Sequence, residues 1–202
     1  MQKNIILGSS SPYRKALIER LQIPFECLSP NIEEGAHSDE SPQHLVERLS
    51  IEKAEAVSRQ LRQQSTSQDD ACYIIIASDQ IAVLDNKILG KPHTSDKAFQ
   101  QLKEFSGRKV TFLTGLCVYN TTTHSYEYSL SQYHVYFRSL KDTEIKRYID
   151  IEQPLDCAGS FKCEGLGVSL FEKMAGDDPN SLIGLPLIDL CRLLRNQGIN
   201  PL

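Results

Sequence analysis

The chain opens on a short apolar run, Asn4 to Gly8 (NIILG), that stops at a small residue, the pattern of a buried strand. Ser9-Ser10-Ser11-Pro12 then forms a turn into a helix. Ser11 is its N-cap, and Pro12 sits at the first helical position, where an N–H would be unpaired anyway. Leu17, Ile18 and Leu21 give this helix an apolar stripe. Phe25 to Leu28 reads as a second strand, followed by the acidic loop Asn31-Ile32-Glu33-Glu34. A long helix begins at Ser41-Pro42, with Leu45, Val46, Leu49, Ala54, Val57 and Leu61 on one side. Its polar end, Gln63 to Asp70, reads as a surface loop. Tyr73 to Ala77 (YIIIA) is the most apolar strand and runs directly into Ser78-Asp79-Gln80. Ile81 to Leu89 has the pattern of a hairpin turning at Asp85-Asn86.

The second half changes rhythm. Thr94 to Phe105 is an amphipathic helix with Ala98, Leu102 and Phe105 inward. Two long β-rich runs follow, Val110 to Asn120 and Tyr126 to Phe137, joined by a polar turn at Thr121 to Ser125. Lys141 to Ile151 is helical, Val168 to Phe171 reads as a strand, and Leu187, Leu190, Cys191 and Leu194 mark a final helix. Strands and helices alternate at first and a hairpin then interrupts, which predicts an α/β fold with a mixed sheet. No internal repeat breaks the chain, and residues 1–202 suit one domain, or one domain folded as two lobes around a cleft.

Bulk composition narrows the function classes. Apolar residues make up 40% and charged residues 24%, enough for an ordinary core. The net charge of −4 and a pI near 5.7 offer nothing to a nucleic-acid polymer or an anionic membrane, so an anionic ligand needs locally gathered cations. No apolar run approaches the roughly 20 residues of a membrane span, and MQKNIILGSSS is too short for a signal-peptide core. A cytoplasmic location is expected. Cys27, Cys72, Cys117, Cys157, Cys163 and Cys191 form no C-x-x-C pair, so reduced, mostly buried thiols are expected.

Ligands of open α/β sheets gather at strand ends, and two strand ends here carry suitable groups. After the first strand, Ser9 to Ser11 offer hydroxyls and backbone N–H groups at a helix start, with Arg14 and Lys15 following. Such a start favours an anion, and Arg14 can grip phosphate bidentately. Read singly, the segment also suits a plain capped helix with its cations in solvent. After the apolar YIIIA run comes Asp79, a carboxylate in a poorly solvated position that suggests a metal, a cationic partner or catalysis; an Asp capping a turn fits too. Lys53 and Lys91 are ambiguous when taken alone.

The ordered set SSSPYRK, IEE, ERLSIEKA, IIIASDQ, GKP, FSGRKVTFLTGL, LDCAGSFKCEG and NSLIGLPL resembles the Maf family of nucleotide pyrophosphatases across nearly the whole chain. The resemblance implies an elongated mixed β-sheet flanked by helices, with two lobes around a central cleft, as in the wider ITPase-like group. It implies that Ser9 and Arg14 bind phosphate and that Lys53 and Lys91 neutralise a triphosphate. Glu34 and Asp79 would serve a divalent metal of the Mg2+ or Mn2+ type and the attacking water, with Asp79 as catalytic base. The expected partner is a small nucleotide; a homodimer is left open.

Three positions bear on the base. The branch resembling dTTP and UTP pyrophosphatases carries Arg, Thr and Gln where this chain has Tyr13, Gln80 and Glu164. The latter set resembles the branch acting on 7-methyl-GTP, which often has Trp at the Tyr13 position. Methylation at N7 leaves the ring cationic, and a cation stacks well on an aromatic face such as Tyr13. An ionised Glu164 can accept the N1–H and N2–H donors of guanine. A broader house-cleaning pyrophosphatase and a nucleotide-binding regulator of septum formation are the competing expectations.

Overall fold

The computed structural model describes residues 3–64 and 72–202. In chain order the elements are β1 (Lys3–Leu7), α1 (Pro12–Glu19), β2 (Glu26–Cys27), α2 (Pro42–Gln64), β3 (Cys72–Leu84), β4 (Lys87–Leu89), α3 (Ser95–Phe105), β5 (Lys109–Asn120), β6 (Ser125–Phe137), α4 (Asp142–Glu152), β7 (Phe171–Gly176), α5 (Pro179–Ile183) and α6 (Leu187–Asn196). Short 3-10 turns occupy Ala158–Ser160 and Leu166–Leu170. The strands form one mixed sheet in the order β2-β1-β3-β5-β6-β7, with β4 added to β3. β1 runs parallel to β2 and β3, and the remaining pairings are antiparallel.

The sheet is elongated because β3, β5 and β6 are long enough to serve two cores. In the first lobe, Ile5, Leu7, Ile74 and Ile76 pack on Leu190 and Leu194 of α6. On the opposite face Ile6, Ile75 and Ala77 pack on Ala54 and Val57 of α2. The second lobe gathers Leu84, Leu102, Phe105, Phe112, Val135, Phe137, Ile149 and Phe161 under α3 and α4.

β3 changes partner between the lobes. Its residues Cys72 to Ile76 pair with β1 and Ala82 to Leu84 with β4, while β5 accompanies it throughout from Ile74 to Val83. Ala77 to Ile81 therefore meet no strand on the β1–β4 side, and the cleft opens there. The turn joining β3 to β4 falls at Asp85 and Asn86, as expected, with φ of 47° and 68°. Both values suit the left-handed turn that matches strand twist.

Several expectations need correction. Asp79 does not lie past the end of its strand; Ser78, Asp79 and Gln80 are inside β3. Their polarity interrupts the apolar pattern, yet the ladder to β5 continues because each side chain finds a partner. The expected strand at Val168 to Phe171 is a 3-10 turn up to Leu170, and β7 begins where that expectation ended. The second strand shrinks to Glu26–Cys27, both exposed. Gln63 and Gln64 still belong to α2, and the rest of the expected polar loop lies outside the described residues. Among the described residues no helix is long and apolar enough to cross a membrane.

Candidate active site

β1 delivers the first part of the site. Beyond Leu7, Gly8 N–H donates to Ile76 O at 2.8 Å and carries the chain off the sheet beside the open stretch of β3. Ser11 caps α1 by accepting Arg14 N–H at 3.4 Å, and Ser9 Oγ accepts Ser11 N–H at 3.1 Å. The Ser9 hydroxyl hydrogen is not used in that bond, so it can serve an anion at the helix start. Arg14 Nε donates to Gly184 O at 2.8 Å, which aims the guanidinium across the cleft. Burial lowers the Arg14 pKa from its ordinary value, and the charges of Asp79 and Glu34 oppose that shift.

α2 delivers the second part. Lys53 is only 4% exposed, and its Nζ stands 2.5 Å from Asp79 Oδ1 and 2.8 Å from Glu34 Oε1. A lysine so deeply placed requires such partners, because an unpaired buried ammonium is strongly unfavourable. Burial would push the Glu34 carboxyl up, but the Lys53 hydrogen bond and the charges of Lys53, Lys91 and Arg14 hold it below its usual value.

The backbone of Asp79 is held as well. Ser50, on the same helix, donates from Oγ to Val46 O at 2.6 Å and accepts Asp79 N–H at 3.0 Å. This contact needs a glycine opposite. A Cβ on Gly115, the β5 partner of Asp79, would stand 2.6 Å from Ser50 Oγ and 2.7 Å from Val46 O.

Gln80 points to the other face of β3. Its Nε2 donates to Thr114 Oγ1 at 3.0 Å, Ser181 O at 2.7 Å and Leu182 O at 3.1 Å. Ser78 Oγ makes bonds to Gly115 O and Gly184 O at 2.7 and 3.0 Å. These bonds tie α5 and the turn after it to the sheet, and thereby position the carbonyl that holds Arg14.

The far end of the cleft is a loop anchored by an aromatic ring and by hydrogen bonds from Lys162 N–H to Tyr148 OH at 3.0 Å and from Leu166 N–H to Glu152 Oε1 at 2.9 Å. Phe161 is buried edge-on against Phe112, Phe137 and Phe171, with centroids 4.9–5.6 Å apart. Gly159 just before it adopts φ 77°, and a Cβ there would meet the Phe112 ring at 2.9 Å. So fixed, the loop presents Asp156, Cys157, Cys163 and Glu164 to the cavity, facing Tyr13 of α1. Burial raises the Tyr13 hydroxyl pKa, followed by the influence of Cys157, Asp156 and Glu164.

All nine residues singled out from sequence line one cavity of about 510 Å3: Ser9, Tyr13, Arg14, Glu34, Lys53, Asp79, Gln80, Lys91 and Glu164. It is large enough for a nucleotide. Its lining groups by proximity: Arg14, Lys53 and Lys91 gather with Glu34 and Asp79, while Tyr13 gathers with Cys157, Asp156 and Glu164. Glu34 and Asp79 converge on the single Nζ of Lys53. Among the described residues no third Asp, Glu, His or Cys joins them as a metal-binding group. Two carboxylates fit a hard divalent cation that takes its remaining oxygens from water and substrate phosphates.

Sequence reasoning missed Ser50, Asp156 and the cavity-lining positions of Cys157 and Cys163. Ser50 carries no signal in a helical pattern, since its partner is a backbone N–H on another element. Asp156 and Cys157 lie inside the quoted LDCAGSFKCEG motif, but nothing in their types separates a cavity wall from a turn.

A model described as "Maf-like protein" matches residues 4–197. The 7-methyl-GTP pyrophosphatase of Colwellia psychrerythraea is 50% identical over 200 residues, covering 99% of this chain and 96% of that one. The proteins of that name from Aliivibrio fischeri and Pseudomonas aeruginosa are each 49% identical, covering 100% of both chains and 97% of both chains respectively. A solved dITP/XTP pyrophosphatase from Mycobacterium abscessus overlaps at a TM-score of 0.39 with 12% identity, over 69% of this chain and 76% of that one, too weak a likeness to carry an argument. With a family match over almost its whole length and relatives at half identity end to end, the chain belongs to the Maf-like protein family.

Proposed function

We propose that this protein hydrolyses 7-methyl-GTP to 7-methyl-GMP and pyrophosphate. The observation that carries the reading is the grouping, within one cavity, of three cations with the Glu34–Asp79 carboxylate pair and, apart from them, of an aromatic ring with carboxylate acceptors. Relatives at about half identity bear the name of this activity. Arg14, Lys53, Lys91 and the start of α1 suit the triphosphate, and Tyr13 with Glu164 suits a cationic purine. Asp79 takes the proton of a water that attacks the α-phosphorus; the bond from that phosphorus to the bridging oxygen breaks, and pyrophosphate leaves with the electron pair. Lys53 and Arg14 stabilise charge on the leaving group. Glu34 and Asp79 would hold a divalent cation, which supplies further charge neutralisation on the phosphates.

The test measures pyrophosphate release by the purified chain from 7-methyl-GTP, GTP, dTTP and UTP, with and without Mg2+ or Mn2+. The expected result is a highest kcat/KM for 7-methyl-GTP that depends on the added cation. Equal turnover of dTTP makes the protein a broader pyrophosphatase. Nucleotide binding without pyrophosphate release makes it a binding protein.

A further inference from the structure

The base end of the cavity carries more negative charge than the edge of a guanine requires. Glu164 alone supplies the acceptors for two ring donors. Asp156 lines the same cavity from the other side of the Ala158–Ser160 turn. Among the described residues neither carboxylate has an ion-pair partner. Cys157 Sγ–H donates to Asp156 at 3.6 Å and Cys163 Sγ–H to Glu164 at 3.3 Å, and neither thiol brings a positive charge. The cation on this loop, Lys162, gives its Nζ to Glu152 O at 2.8 Å. A neutral ring placed here would leave two carboxylates uncompensated beside the Tyr13 face, whereas a positively charged ring would compensate them.

Resting on the reading of this cavity as a nucleotide site, we infer that its base end selects positive charge on the purine ring rather than the methyl group that creates it, with Asp156 as a specificity-determining residue beside Glu164. The substrate class is then purine nucleoside triphosphates whose ring is made cationic by alkylation at a ring nitrogen. The raised pKa of the Tyr13 hydroxyl, to which both carboxylates contribute after burial, agrees with a negative potential at that face. Because Asp156 and Glu164 are exposed, the attraction is screened, and selectivity is expected to weaken with salt.

Two measurements test this. The first compares 7-methyl-GTP with 7-methyl-7-deaza-GTP, which keeps the methyl group and the shape but has no ring charge. Charge selection predicts that the deaza compound behaves like GTP; if it is instead hydrolysed like 7-methyl-GTP, the inference is overturned while the activity stands. The second is Asp156→Asn, expected to lower kcat/KM for 7-methyl-GTP by roughly 3- to 10-fold, to leave GTP within about twofold, and to flatten the salt dependence of the preference. Asp156→Glu should restore the preference. Equal loss on both nucleotides in Asp156→Asn, or no change in their ratio, assigns Asp156 to loop structure and overturns its role. A wild-type protein that releases no pyrophosphate from 7-methyl-GTP removes the activity itself and the inference with it.

Discussion

The two ends of the cavity are built from different material. At the proposed phosphate end, Lys53 and Asp79 are 4% and 5% exposed on a long helix and a central strand; their side chains bond to each other, and Asp79 N–H donates to Ser50 on the same helix. At the base end, Asp156 and Glu164 are exposed on a loop, and their hydrogen-bond partners are cysteine thiols. On the proposed reading, chemistry common to every nucleoside triphosphate falls to the core of the fold, where a displacement disturbs packing. Base recognition would then fall to a loop tied to the second lobe by Phe161 and by the bonds of Lys162, where side chains can change without moving the sheet.

The largest expected effect lies at the rigid end. Asp79→Asn keeps the shape but cannot take the proton from water, and removal of a general base typically costs about 10²–10⁴ in rate. We expect a loss of that order in kcat for every accepted nucleotide, with the variant still folded by circular dichroism. Retention of most wild-type turnover would remove Asp79 from the role of base.

Next in size is a change that reaches the same carboxylate through packing. Gly115→Ala places a methyl group against Ser50 Oγ and the Val46 carbonyl, and backbone cannot move aside as a flexible side-chain tip can. Over-packing of this kind costs roughly 1–3 kcal/mol. Denaturant unfolding should show that loss, and kcat/KM should fall by a similar factor on all nucleotides, because α2 carries Lys53 and Ser50 together. A stable variant with unchanged turnover would show that the close approach of α2 to β5 is not what aligns Asp79.

The sequence made the rigid end more legible as structure and the loop end more legible as family pattern. The apolar stripes at Leu45, Val46 and Leu49 and at Ile74 to Ile76 place α2 and β3, because burial imposes a period on the residues it needs. The same logic misplaced Asp79 at a strand end, since a polar triplet within a strand looks like its termination until its partners are known. Lys53 and Asp79 lie 26 positions apart, and no local pattern announces that they meet. Gln80 fits the expected cavity wall, while its amide also ties α5 to the sheet, a task set by carbonyls about a hundred positions away.

At the loop end the third prediction separates recognition from stability. Glu164→Gln turns one acceptor oxygen into a donor facing guanine's own donors, and leaving such groups unpaired costs roughly 1–3 kcal/mol. Both 7-methyl-GTP and GTP should lose kcat/KM, 7-methyl-GTP by somewhat more because a carboxylate charge goes with the acceptor, while the unfolding midpoint stays put because the side chain is exposed. A loss confined to 7-methyl-GTP would mean that Glu164 reads charge alone and that the ring donors are met elsewhere.

The smallest expected effect gives the finest division between the ends. Tyr13 stands on α1 one residue before Arg14, so on the proposed reading a single helical turn would carry both a face for the base and a grip for the phosphates. If the ring of Tyr13 stacks on a cationic purine, Tyr13→Ala removes about 0.5–2 kcal/mol of attraction for the charged ring and much less for neutral GTP. The preference for 7-methyl-GTP over GTP should shrink accordingly, with little change in GTP turnover, since Arg14 N–H would still be capped by Ser11. The measurement is the ratio of the two kcat/KM values in wild type and variant. An equal fall on both nucleotides would instead mean that Tyr13 supports the helix start and the phosphate grip, and that the boundary between the two ends lies beyond α1, at the loop alone.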